Sequence, residues 1–205
     1  MAPDGEGRLI ETFGHELRAD GTINHDVRLG WPEVVSYDIV ADPSNRVDVT
    51  RMPRESRGLR RYLSAARPEC APRSPGAAAC LLHSATELYK VHVVPADLAS
   101  AWWLMLADEP DVRSLGTAVD RVGRQVEAFA APPGEGGIGT EIPVILVDPV
   151  TGRLVGNESI TLETDYLRID GPAVTSFTSV TEAHFVNSIG AEAAPLTPAA
   201  PPTPR

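Results

Sequence analysis

A five-residue corner, Asp148-Pro149-Val150-Thr151-Gly152, lies between two runs of strand-forming residues and forces the chain to reverse there. Proline holds its own φ at about −65°, the value wanted at the first central position of a type I turn. Aspartate accepts hydrogen bonds from the backbone just ahead of it, and glycine supplies the positive φ that closes such loops. The spacing predicts a hairpin with strands over residues 142–147 and 153–162.

Similar chemistry recurs along the chain. Asp20-Gly21 separates alternating stretches at 9–17 and 22–29, and Pro43 with Asn45 separates 34–40 from 46–50. Asn45 follows Asp42-Pro43 much as Gly152 follows Asp148-Pro149, but the flanking strands differ, so this is shared turn chemistry and not a repeat. Strands are also expected at 112–119 and 125–130 around Asp120-Arg121-Val122-Gly123-Arg124, at 166–169, at 173–180 after Gly171-Pro172, and over 181–189. Residues 132–139 read as a Gly/Pro loop.

Leu98, Ala101, Trp102, Met105 and Leu106 fall on one face of a helix, with Trp103 at the edge of that stripe. Pro95 suits its first turn, Asp97 favours the positive end, and Pro110 stops it. A second, shorter helix is expected at 56–66, where Leu59, Tyr62, Leu63 and Ala66 share a face. Many short strands with local turns and few helices make an α+β fold. The expected architecture is a curved, half-barrel-like antiparallel sheet on one main amphipathic helix. Strand alternation predicts one buried and one wet sheet face. The expected domain spans 1–190. Residues 191–205 hold five prolines and little apolar bulk, and read as a disordered tail.

The net charge is −10, yet 51–73 carries seven arginines against two acids. An acidic body disfavours nucleic acid. The basic run is expected to complement its own fold or to stay solvated, with anionic lipid headgroups, or an envelope protein met through Arg57, Arg60 and Arg61, as the alternatives. No apolar run reaches the roughly 18–20 residues of a membrane span, and Met1 to Ile10 lacks the apolar stretch of a signal peptide.

Cys70 and Cys80 flank a segment that reads as a flexible loop. A disulfide is favoured, which implies an oxidising compartment; two unrelated thiols are the alternative. The spacing does not suit zinc.

Reactive groups are sparse. The glycines of 134–139 do not end in Lys-Ser/Thr, so they make no phosphate loop. His15 and His25 flank a turn and would face each other across a hairpin, without a visible third metal ligand. Asp108, Glu109 and Asp111 read as a solvated loop. Trp102, Trp103 and Met105 are either core or the lining of an apolar ligand site. No cofactor is expected.

Three blocks, in order, are similar to an uncharacterised actinobacterial membrane-anchored protein family. The first runs from Pro95 through Trp103 and Pro110-Asp111-Val112-Arg113-Ser114-Leu115-Gly116-Thr117 to Asp120-Arg121-Val122-Gly123-Arg124. The second is Val147 to Gly156, and the third Val186-Asn187-Ser188-Ile189-Gly190. Asp111 stands where that family usually has glycine. The resemblance implies a LolA/RseB-like outer domain, able to accept acyl chains or a partner, and carries no catalytic residues. The leading expectation is therefore a non-enzymatic, extracytoplasmic sensor-like or lipid-binding domain. An interaction module of a cell-envelope or anti-sigma-like system comes second. A small enzyme with a His/carboxylate site comes third.

Overall fold

The computed structural model describes residues 7–12, 16–17, 23–24, 34–39, 49–135, 140–163 and 171–180. Near the N-terminus, β1 (Gly7–Thr12) pairs with β4 (Val34–Ile39), and β2 (Glu16–Leu17) with β3 (Ile23–Asn24). Three helices follow: α1 (Ser56–Ala66), α2 (Ala77–Val91) and α3 (Ala96–Ala107). The main sheet comes last. It holds β5 (Arg113–Val119), β6 (Gln125–Ala130), β8 (Thr140–Val147), β9 (Leu154–Thr161) and β10 (Ala173–Ser179). These strands run up and down in chain order, every neighbouring pair antiparallel. The short β7 (Gly134–Glu135) adds to β8. Among the described residues the sheet is open, with β5 and β10 at its edges, and the α+β class holds.

Several strand expectations are met closely. Register Val147↔Leu154 and Ile142↔Ile160 confirms the hairpin around the Asp-Pro corner. Gln125–Ala130 is β6 with the expected bounds. The β2–β3 pairing fits a reversal between 17 and 23, while the 18–21 corner itself lies outside the described residues. The turn expected at 41–45 and most of the 46–50 strand lie outside the described residues. β4 pairs with β1, Leu9 opposite Tyr37, and Val49 and Thr50 sit in a turn. The 166–169 and 181–189 strands, the 191–205 tail, His15 and His25 lie outside the described residues.

The helical layer differs more. The segment after Cys70, expected as a loop, becomes α2 from Ala77 onward, so Cys80 stands in its first turn. Gly76 precedes it with φ +78°, a conformation glycine takes without steric cost. Leu81, Leu82, Ala85, Leu88 and Tyr89 are buried at helical spacing. Each of those leucines contributes about 1.5–3 kcal/mol through burial. The helix packed on β8 and β9 is α2, not the tryptophan-bearing α3, which packs chiefly on α1. The reason is that α2 has apolar residues wide enough around it to meet the sheet and its fellow helices together. In α1, Leu59 and Leu63 are buried, but Tyr62 and Ala66 face solvent.

The sheet is also not wet on one face. Ile145, Val147 and Leu154 join the helical core, while Val126, Ala128, Ala130, Val144 and Leu146 form a second buried cluster. The cause is the unbroken run Val144-Ile145-Leu146-Val147, in which successive side chains point to opposite faces and all four are apolar.

Candidate functional site

Two tight turns and two helix ends build the site. In the β8–β9 corner, Asp148 Oδ1 accepts the backbone N–H of Val150 at 2.7 Å and of Thr151 at 3.1 Å. Gly152 closes the loop at φ +66° and donates its N–H to the Asp148 carbonyl at 2.9 Å. Those backbone donors hold the Asp148 carboxyl below the usual carboxylate range.

The β5–β6 turn uses the same devices, with Gly123 at φ +86°. Asp120 Oδ1 accepts the N–H of Val122 at 3.0 Å and of Arg124 at 2.8 Å. Its Oδ2 takes the Arg124 Nε–H at 2.7 Å. Arg124 then reaches across the sheet and donates to the carbonyls of Val180 at 2.7 Å and Val155 at 2.9 Å. The D-x-x-G-R block is thus a clamp that ties one turn to the far strands.

Where these turns meet the end of α2, a cavity of about 170 Å³ opens. Tyr89 in the last turn of α2, His92 just beyond it and Val94 in the link to α3 form one side. Asp148, Thr151, Arg153, Leu154 and Val155 form the opposite side, with Arg124 and Val180 completing the wall. Burial pushes the Tyr89 hydroxyl up to about 12, against the lowering pull of the Arg153 charge, and pushes the His92 imidazole down. At neutral pH, Tyr89 is therefore a neutral O–H donor. Its oxygen is buried and has no hydrogen-bond partner among the described residues. Leaving such a group unpaired costs about 1–3 kcal/mol.

Of the three residues expected at an apolar ligand site, only Trp103 reaches this region. Its indole N–H donates to the Gly152 carbonyl, and its ring stacks on Tyr89 with centroids 6.4 Å apart. Trp103 thus ties α3 to the corner and backs the cavity wall. Trp102 and Met105 are 1% and 3% exposed and belong to the core.

The arginine run divides. Arg60 pairs with Glu109 at 2.7 Å, both side chains largely buried, and joins α1 to the end of α3. Glu109 is therefore no loop acid: once α1 packs on α3, the Arg60 guanidinium gives it a buried partner. Arg54 pairs with Asp97 at 3.3 Å, and Arg67 donates to Ser84 Oγ at 3.2 Å. Arg57 and Arg61 remain exposed on α1. Cys70 and Cys80 form a disulfide with Cα atoms 5.2 Å apart, bracing the 3-10 turn Pro68–Cys70 against α2. Among the described residues no group of three His, Cys, Asp or Glu is placed to hold a metal ion. No helix among them is long and apolar enough to cross a membrane.

The cavity is not legible in the sequence, because its walls come from residues far apart in the chain. Only the Asp-Pro corner and the D-x-x-G-R turn marked two of its sides beforehand. Comparison with known proteins finds no matching family profile, no matching curated protein and no matching solved structure.

Proposed function

We propose that this chain is a non-catalytic, extracytoplasmic sensor-type domain that reads a small ligand in the cavity between the end of α2 and the β8–β9 corner. The unpaired buried hydroxyl of Tyr89 carries this reading: it is a donor held ready at a cost, as a binding group is. The resemblance to envelope proteins and the Cys70–Cys80 bond support the compartment, since disulfides persist where the surroundings are oxidising. The geometry favours sensing over lipid carriage. Trp102, Met105, Ile145 and Leu154 fill the space between helices and sheet. The cavity is also smaller than the roughly 300–1,000 Å³ typical of pockets for drug-sized ligands.

Native mass spectrometry of the full chain, exported and purified without detergent, tests this. The expected result is a disulfide-bonded protein with no free thiol and no stoichiometric lipid. Co-purified acyl lipid would favour the carrier reading, and reduced cysteines after export would remove the support for the compartment.

A second reading rests on Arg57 and Arg61, one helical turn apart on the exposed side of α1. They offer an acidic segment of an envelope partner two guanidinium groups. Charge reversal at both, leaving stability unchanged but abolishing capture of a purified candidate partner, would support an interaction module. Unchanged capture would refute it.

A further inference from the structure

We propose that the cavity takes a small aliphatic monocarboxylate, its carboxylate received by the Tyr89 hydroxyl and the Arg153 guanidinium and its short chain lying on valine and leucine side chains. This rests on the sensor reading above and gives the ligand a chemical class.

The donor set decides the acceptor. Tyr89 brings an O–H that is buried, unpartnered and neutral at any physiological pH. Arg153 stands close enough for its charge to act on that hydroxyl, and both line the same space. Arg153 is engaged elsewhere as well, but a guanidinium carries five N–H donors and no acceptor. The group that satisfies both residues is therefore an acceptor, and a planar carboxylate matches the guanidinium fork. Arg124 is held in the wall by three of its five N–H groups, which already donate to protein, and has two left to offer a ligand.

The remaining walls narrow the class. Val94, Leu154, Val155 and Val180 are apolar and suit a short hydrocarbon body. Asp148 puts a carboxylate in the same cavity, held ionised by its own turn. A second negative charge on the ligand would be repelled there. A singly charged carboxylate is accordingly favoured over a phosphate, which carries up to two charges near neutral pH. Tyr89 itself is fixed by its stacking on Trp103, so the donor is positioned before any ligand arrives.

Calorimetric titration of the full chain with sodium butyrate, butyramide and inorganic phosphate tests the class. Butyrate should bind saturably, and the amide and phosphate at least about tenfold more weakly. Tyr89→Phe should weaken butyrate about tenfold or more, as expected for losing a hydrogen bond to a charged group, while leaving Tm equal or higher. That combination separates a binding hydroxyl from a structural one. Arg153→Gln, at an exposed position, should weaken butyrate while leaving butyramide unchanged. If butyramide binds as well as butyrate, or phosphate binds more tightly, the carboxylate class is overturned while a ligand-reading cavity stands. If butyrate fails to bind wild type, or binds Tyr89→Phe equally, the proposal is overturned outright. Co-purified lipid in the earlier experiment would remove the sensor reading independently.

Discussion

Replacing Arg124 by alanine should destabilise the main sheet by about 3–4 kcal/mol, well beyond an ordinary surface arginine. The side chain is 32% exposed, while the Asp120 side chain it pairs with is 0% exposed. Truncation removes three bonds at once. The Val155 carbonyl loses one donor but keeps the backbone N–H of Val180 at 2.8 Å, so its loss is about 1 kcal/mol. The Val180 carbonyl loses its Arg124 donor, for about another 1 kcal/mol. Asp120 Oδ2 loses its cation while staying buried, and only Oδ1 keeps its two backbone donors. A buried pair broken on one side costs about 3–5 kcal/mol, and partial exposure of Arg124 brings this to about 1–2 kcal/mol. Urea unfolding of wild type, Arg124→Ala, Asp120→Asn and the double variant gives both the loss and the coupling. The double variant should be less destabilised than the sum of the singles, since neither partner is then left as an unpaired charge. A loss under about 1 kcal/mol for Arg124→Ala, with additive singles, would refute the clamp.

Three further outcomes follow from the same geometry. Gly156→Ala should cost roughly 1–3 kcal/mol in urea unfolding, because a Cβ there would stand 2.6 Å from the Thr178 carbonyl oxygen and force β9 and β10 apart; unchanged stability would contradict the register. Cys70→Ala with Cys80→Ala should lower stability by about 2–3 kcal/mol through release of the closed loop, and an unshifted urea midpoint would argue against the bond. The fold should weaken on acidification in two steps, read by unfolding across pH. His92 has a lowered folded-state pKa, so its contribution is full above about 6.5 and is lost as pH falls through the folded value. Asp148, also lowered, contributes fully above about 3.9 and loses it at lower pH. His92→Gln should flatten the first step, and stability rising below about pH 6.5 would reverse the sign expected here.

The turns were legible because their chemistry is local. Asp148 and Gly152, like Asp120 and Gly123, carry their reasons within five residues, and the strands beside them follow by alternation. Helix α3 was legible because Leu98, Ala101, Trp102, Met105 and Leu106 share one face and all are buried. Helix α2 was hidden by its entrance. Pro72, Pro75 and Gly76 announce a loop, three alanines give no periodicity, and the leucine stripe starts only at Leu81. The two-sided burial of β8 was written in its four consecutive apolar residues, but strand alternation elsewhere drew the opposite rule. The Arg60–Glu109 pair spans 49 residues, and the walls of the cavity come from turns and strand ends across the sheet. Such long-range meetings are set by packing, which no local pattern encodes.

Helix α2, not α3, seals the helical side of β8 and β9, and that contact brings Tyr89 to the Asp-Pro corner. Methyl-selective NMR measures it directly. Nuclear Overhauser contacts are predicted between Leu81, Leu82 and Leu88 on α2 and Ile145, Val147 and Leu154 on the sheet. Their absence, with α3 methyls touching the strands while the α2 leucine methyls are exposed to a soluble paramagnetic probe, would contradict it.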